Sequence, residues 1–76
     1  MVDTTKMARS AKSLTINGGP ARTCAATLSE LLAELGYGDS KVATAVNGDF
    51  VAAAARNGYG LEDNDRIEIV APRQGG

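Results

Sequence analysis

The fold is decided by the stretch Thr27-Leu28-Ser29-Glu30-Leu31-Leu32-Ala33-Glu34-Leu35-Gly36. Its start has the spacing of a capping box, in which the Thr27 hydroxyl accepts from the Glu30 backbone N–H and the Glu30 carboxylate reaches back. Leucines at i, i+3, i+4 and i+7 form one apolar stripe, and Gly36 is suited to a left-handed helix end. The stripe consists of Leu28, Leu31, Leu32 and Leu35. We predict one amphipathic helix that covers a sheet, because the chain has no other large apolar face.

A β-hairpin is predicted before this helix. Leu14 and Ile16 alternate with polar residues, and Asn17-Gly18-Gly19-Pro20 favours a turn because Asn and Gly accept positive φ. The segment from Ala21 to Cys24 is then expected to pair antiparallel with the first strand. Residues 1–12 show neither helical nor strand periodicity, and we interpret them as a disordered leader without function rather than a targeting segment.

Three more strands are predicted after the helix. They are Val42 to Val46, Phe50 with Val51, and Arg66 to Val70. Asn47-Gly48 between the first two is a strong hairpin signal, and Ile67 and Ile69 are expected to point inward. Residues 52–56 are compatible with a short helix or with an irregular connection, and residues 62–65 form a polar turn. The order of elements predicts an α+β domain over 13–71, with a sheet of four to five strands on one main helix.

Composition excludes several classes of function. The 76 residues contain no His, one Cys and no Trp, which removes Ser-His-Asp and Cys-His catalysis and zinc sites built from Cys and His. We therefore expect neither an enzyme nor a metal protein. A net charge of −1 without a basic stripe argues against nucleic acid, and the longest apolar run, Phe50 to Ala55, is too short for a membrane. The lone Cys24 and the lack of a signal sequence lead us to expect a cytoplasmic protein.

The sequence ends in Ala71-Pro72-Arg73-Gln74-Gly75-Gly76, which we predict to be a flexible tail over 72–76. A terminal carboxyl has a reference pKa of about 3.5 and is therefore ionised at neutral pH. ATP could convert it to an acyl adenylate that a sulfur nucleophile then attacks. Glycine lets the backbone pass close to the walls of a narrow active site, and Pro72 discourages continuation of the strand. A frayed chain end without function is the alternative.

Three stretches resemble the ThiS family of sulfur carriers in thiamine thiazole biosynthesis, and hence the ubiquitin-like β-grasp proteins. They are LTINGGPARTCAATLSELLAELG (14–36), VNGDFV (46–51) and LEDNDRIEIVAPRQGG (61–76). Two departures are the turn Asp63-Asn64-Asp65, where the family often has Gly, and Ala52, where it often has Pro. Neither touches the chemistry. The resemblance implies a β-grasp fold whose sheet is mixed, with the first and last strands parallel at its centre.

The resemblance also implies a reaction cycle and its partners. A ThiF-like enzyme would use MgATP to adenylate the carboxylate of Gly76, and sulfur from a cysteine desulfurase would displace AMP to give a thiocarboxylate. A thiazole synthase resembling ThiG would then receive the sulfur. Arg73, Gln74 and Gly75 would thread into the partners' active sites. The chain itself would be a cosubstrate that binds no cofactor.

Three other functions stay open at this point. They are the small subunit of molybdopterin synthase, a ubiquitin-like modifier joined to lysines, and a passive β-grasp interaction module. We interpret Cys24 as a structural residue in a strand, because buried cysteines usually act as small hydrophobes. Phe50 and Val70 are candidates for partner contact, although the sequence leaves open whether Val70 shares the inward face of its strand or flanks the tail.

Overall fold

The computed structural model describes residues 11–38 and 41–71, which form five strands, one α-helix and one 3₁₀-helix. In chain order these are β1 (Lys12–Ile16), β2 (Gly19–Thr23), α1 (Leu28–Glu34), β3 (Ala43–Val46), β4 (Asp49–Val51), the 3₁₀-helix (Ala53–Gly58) and β5 (Arg66–Val70). The predicted tail and residues 1–10 of the predicted leader lie outside the described residues. The leader boundary at residue 12 is wrong, because Lys12 already pairs with Thr23 in the first hairpin.

The strands form one mixed sheet in the order β2-β1-β5-β3-β4. β1 and β5 are parallel, with Ile16 beside Ile67, and the other neighbouring pairs are antiparallel. The predicted α+β class is confirmed, as is the parallel pairing of the first and last strands inside the sheet. β5 is therefore held by strands on both sides, while β2 and β4 are the edges.

Both predicted Asn-Gly turns are present. Asn17 and Gly18 have φ of 48° and 85°, and Asn47 and Gly48 have φ of 54° and 89°. Two consecutive positive φ values define the type I′ turn, whose twist matches that of the flanking strands. The first turn is two residues shorter than predicted, since β2 begins at Gly19.

The start of α1 confirms the capping prediction with one difference. The Glu30 N–H donates to the Thr27 hydroxyl at 3.2 Å, as expected for an N-cap threonine. The Glu30 carboxylate, however, accepts from the N–H of Ala26 at 2.8 Å, one residue before the cap. The helix start is thus fixed from both sides of Thr27.

The helix ends one residue earlier than the leucine stripe predicts. The N–H groups of Gly36 and Tyr37 donate to the carbonyls of Ala33 and Leu32, which is the Schellman arrangement. Gly36 supplies the left-handed φ of 92° that this turn needs. Leu35 is the C-cap and is 42% exposed, because the turn carries it away from the sheet. The expectation that all four leucines are core residues is wrong for Leu35.

The core lies between α1 and the inner face of the sheet. Its buried apolar residues are Leu14, Ala25, Leu28, Leu31, Leu32, Val46, Val51, Leu61, Ile67 and Ile69. Thr44 is also buried, and its hydroxyl donates to the Val51 carbonyl at 2.8 Å and accepts from Arg56 Nε at 3.0 Å. These bonds satisfy a polar group that would otherwise destabilise the core.

The segment that the sequence left undecided contains the 3₁₀-helix. Besides binding Thr44, Arg56 donates through Nη2 to the carbonyl of Val42 at 2.6 Å. One arginine therefore ties the 3₁₀-helix to β3 and to the residue before it, although the segment buries none of its residues. The segment shows no apolar periodicity, and the hydrogen bonds of Arg56 hold it against β3 instead.

Candidate functional site

The candidate site is the end of β5 and the sheet surface around it, because the tail continues from this strand. Ile67 and Ile69 point into the core, and Arg66, Glu68 and Val70 are exposed, so the predicted alternation is confirmed. The predicted site residues Arg73, Gln74, Gly75 and Gly76 lie outside the described residues. The described part of the chain ends at Ala71, one residue after the end of β5.

Phe50 and Val70 lie on the same face of the sheet, opposite α1. Phe50 is 71% exposed and Val70 is 62% exposed, which are high values for large apolar side chains. Val70 therefore does not share the inward face of Ile67 and Ile69. The question that the sequence left open is thereby settled in favour of an exposed position beside the start of the tail.

Two alanines of β3 lie between these side chains. Ala45 pairs with Phe50 on one side and with Glu68 on the other, and Ala43 pairs with Val70. Because alanine is small, the surface over β3 is a groove of about 470 Å³ with Phe50 and Val70 among its lining residues. We call Ala43, Ala45, Phe50 and Val70 the outer patch.

Charged side chains border the outer patch. Arg66 and Glu68 lie on the same face of β5 and also line the groove. A patch of apolar side chains with a polar rim is the composition expected of a protein contact surface. The rim carries both signs of charge, so shape and apolar area would contribute more to binding than net charge.

Asparagines from the two type I′ turns contact the two ends of β5. At its start, the Arg66 N–H donates to Asn47 Oδ1 at 2.9 Å. Near its end, the Ile69 N–H donates to Asn17 Oδ1 at 2.8 Å, and Asn17 Nδ2 donates to the Ile69 carbonyl at 3.1 Å. Sequence reasoning identified both residues as turn formers but missed these contacts. The Asn17 contacts join residues that are 52 positions apart, and only the parallel pairing of β1 with β5 could have indicated them, whereas the Asn47 contact follows from the pairing of β3 with β5.

Cys24 is not the buried strand residue that we predicted. β2 ends at Thr23, and Cys24 is exposed in the connection to α1. Its neighbour Thr23 is buried instead, and the Thr23 hydroxyl donates to Glu34 Oε1 at 2.6 Å and accepts from the Ala25 N–H at 3.0 Å. The predicted strand position and burial of Cys24 are therefore wrong, because the shorter turn shifts the strand that precedes it.

Two other kinds of site are absent from residues 11–38 and 41–71. This part of the chain holds no cluster of three or more His, Cys, Asp or Glu side chains that could bind a metal ion. It also has no helix of the length and apolar character needed to cross a membrane.

Known proteins share this architecture. The model of the ThiS family matches residues 15–76. The crystal structure of the thiamine biosynthesis protein ThiS from Geobacter metallireducens is similar, with 28% sequence identity and a TM-score of 0.71. The match covers 84% of this chain and 99% of that chain. No curated protein matches at a significant level.

Members of the family are small carriers rather than catalysts, and they act together with adenylating and sulfur-transfer enzymes. The family match extends from Thr15, near the end of β1, through β5 and the diglycine, and the similar structure has the same fold. The chain belongs to the ThiS family, the ubiquitin-like sulfur carriers of thiamine biosynthesis.

Proposed function

We propose that the carboxylate of Gly76 is the atom group that accepts and delivers sulfur. The observation that carries the proposal is the direct continuation of a central strand into the diglycine, six residues after Val70. Those six residues span at most about 20 Å when extended, at 3.3–3.6 Å per residue. An enzyme that takes Gly76 into its active site must therefore come close to the end of β5 and the outer patch.

The proposed reaction begins with adenylation by a ThiF-like enzyme. A carboxylate oxygen attacks the α-phosphorus of MgATP, and pyrophosphate leaves. The persulfide of a cysteine desulfurase then attacks the acyl carbon and displaces AMP, which forms an acyl disulfide. A thiol reductant cleaves its S–S bond and leaves the thiocarboxylate, which a thiazole synthase resembling ThiG consumes. MgATP is the substrate of the activating enzyme, and the carrier holds no cofactor.

Glycine at the end of the tail supports this proposal. Gly75 and Gly76 lack Cβ atoms, so the acyl carbon can be approached closely inside a narrow channel. Arg73 and Gln74 would lie in the same channel, where the guanidinium and carboxamide offer donors to the partner. Phe50 and Val70 would contact the partner outside the channel. Because both side chains are mostly exposed, they contribute little to the stability of the free protein, which supports a role in association.

The test uses two changes at the tail and one matched control. One added residue after Gly76 turns its carboxylate into an amide, and Gly75→Val adds bulk and restricts the backbone where close approach is expected. Gly38→Val is the control, because a Cβ at Gly38 meets no atom within 4 Å and its φ is outside the left-handed region. Each protein is incubated with a ThiF-like enzyme, MgATP and bisulfide.

Pyrophosphate release and intact mass are the measurements. Wild type and the Gly38→Val control should release pyrophosphate and gain the mass difference between sulfur and oxygen. Both tail variants should unfold at the wild-type temperature, release no pyrophosphate and gain no mass. Equal activity of the wild type and both tail variants would place the reactive group elsewhere and disprove the proposal.

A further inference from the structure

Asn17 extends the pairing of β1 with β5 beyond the point where the backbone of β1 turns away. The Thr15 N–H donates to the Asp65 carbonyl at 3.0 Å, and the Asn17 N–H donates to the Ile67 carbonyl at 2.9 Å. The next rung would need a carbonyl and an N–H from the continuation of β1. That continuation is missing, because positive φ at Asn17 and Gly18 diverts the chain into β2.

The side chain of Asn17 replaces that missing rung. Its carboxamide carries one acceptor oxygen and a donor nitrogen, as a peptide unit does. Oδ1 accepts from the Ile69 N–H and Nδ2 donates to the Ile69 carbonyl, so both backbone groups of one residue are satisfied by one side chain. A partly buried peptide group left without these partners would destabilise the end of the strand.

The position of this contact matters because the tail begins three residues after Ile69. On the other side of β5, the last pair with β3 joins Val70 to Ala43. The end of β5 is thus held at Ile69 from one side and at Val70 from the other. Without Asn17 it would be held by β3 alone, and Ala71 could leave the sheet over a wider range of directions.

We propose that Asn17 is a positioning residue that fixes the direction in which the tail leaves the sheet, an inference that rests on the proposed function of Gly76. An arm that starts in a defined direction loses less conformational freedom when it enters a partner's channel. Asn17 therefore lowers the KM of the activating enzyme for the carrier. It has no effect on the bonds that are made and broken at Gly76.

Asn47 offers a matched control at the other end of the same strand. It also occupies the first position of a type I′ turn, with φ of 54° against 48° for Asn17. Its Oδ1 accepts from the Arg66 N–H, and its Nδ2 donates to Asp65 Oδ1 at 2.9 Å. Asn47→Gly and Asn17→Gly both keep the left-handed turn and remove side-chain hydrogen bonds to β5 or its preceding residue. Only Asn17 contacts the end of β5 from which the tail continues.

The experiment measures adenylation and amide exchange in the same proteins. Pyrophosphate release by a ThiF-like enzyme with MgATP is recorded against carrier concentration for wild type, Asn17→Gly and Asn47→Gly. Asn17→Gly should raise KM about fivefold and leave kcat within about twofold, since only the ordering cost changes. The Ile69 amide should exchange about tenfold faster, as expected for loss of one hydrogen bond. Asn47→Gly should lose similar thermal stability with KM close to wild type.

Asn17→Asp provides a second variant with the size of the native side chain. It retains an acceptor for the Ile69 N–H but faces the Ile69 carbonyl with an oxygen, so its KM should also rise.

An unchanged KM in both Asn17 variants, despite faster exchange at Ile69, would overturn the proposal. Equal increases for Asn17→Gly and Asn47→Gly would overturn it too, by showing an effect of overall stability. For Asn17→Gly, which removes the acceptor of the Ile69 N–H, a raised KM without faster Ile69 exchange would indicate a direct contact with the enzyme and contradict positioning. If wild type itself is not adenylated, the proposed function fails, and positioning of the tail fails with it.

Discussion

Replacement of Phe50 by alanine should separate association from folding. Phe50 is 71% exposed in the free protein, and it lies in the outer patch, separated by β3 from the strand that leads to the tail. A partner that covers this surface would bury most of the ring, whereas the fold already buries little of it. We therefore expect a large effect on the KM of adenylation and a small effect on unfolding.

The exposed fraction sets the size of both effects. A phenylalanine offers about 200 Å², so a partner could cover about 140 Å², equivalent to at most about 3.5 kcal/mol at 25 cal/mol per Å². Ordering and imperfect fit reduce this to about 1.5–2 kcal/mol, or roughly a 10- to 30-fold increase in KM. The buried remainder of about 60 Å² limits the loss of folding stability to about 1 kcal/mol, because alanine retains part of that area.

The assay compares Phe50→Ala with Leu35→Ala, which removes an apolar side chain that is 42% exposed at the end of α1. Initial rates of pyrophosphate release by a ThiF-like enzyme give KM and kcat, and urea titration gives the free energy of unfolding. Phe50→Ala should raise KM and leave kcat unchanged, whereas Leu35→Ala should leave KM unchanged. A KM for Phe50→Ala within twofold of wild type, with the fold intact, would refute the assignment of the outer patch to partner contact.

Three further changes test the core, the helix start and the thiol. Leu28→Ala removes a fully buried side chain and should lower the free energy of unfolding by about 3 kcal/mol, and a loss below about 1 kcal/mol in urea would contradict its place in the core. Thr27→Ala should cost about 1 kcal/mol through loss of the bond to the Glu30 N–H, while Thr27→Ser, which keeps the hydroxyl, should cost much less. Equal melting temperatures for the two Thr27 variants would argue against the cap. Cys24→Ser should still gain sulfur in the intact-mass assay, because Cys24 is exposed and the proposed acceptor is Gly76. A folded Cys24→Ser protein that gains none would move the reactive atom to the thiol.

Local signals in the sequence were sufficient to predict most of the fold. Each Asn-Gly pair predicts a turn because few residue types accept two successive positive φ values. Alternation around Ile67 and Ile69 predicts which side of β5 faces the core, and Thr27 with Glu30 predicts where α1 begins. The parallel pairing of β1 with β5 came from family resemblance, since no local pattern identifies the partner of a strand so distant in sequence.

The sequence-based predictions fail where a turn overrides the local pattern of apolar and polar residues. Leu35 fits the apolar period of α1, but the Schellman turn at Gly36 has a stronger effect on its position. Cys24 fits an alternating strand, but the two-residue turn at Asn17 lets β2 begin at Gly19. The strand then ends at Thr23, one residue before Cys24. Contacts of Asn17 with Ile69 depend on register between distant strands. Such a contact can be found only once the sheet order is known.

The alternation of β5 assigns stability and association to different side chains of the same strand. Ile67 and Ile69 are buried against α1, so changes there alter folding. Val70 points the other way and is available to a partner. Because the proposed arm reaches only about 20 Å beyond Val70, an enzyme that acts on Gly76 must come close to this surface. Under the proposed function, an activating enzyme and a sulfur acceptor that both contact the outer patch would bind the carrier in turn, and moderate affinity would favour that exchange, since very tight binding slows dissociation.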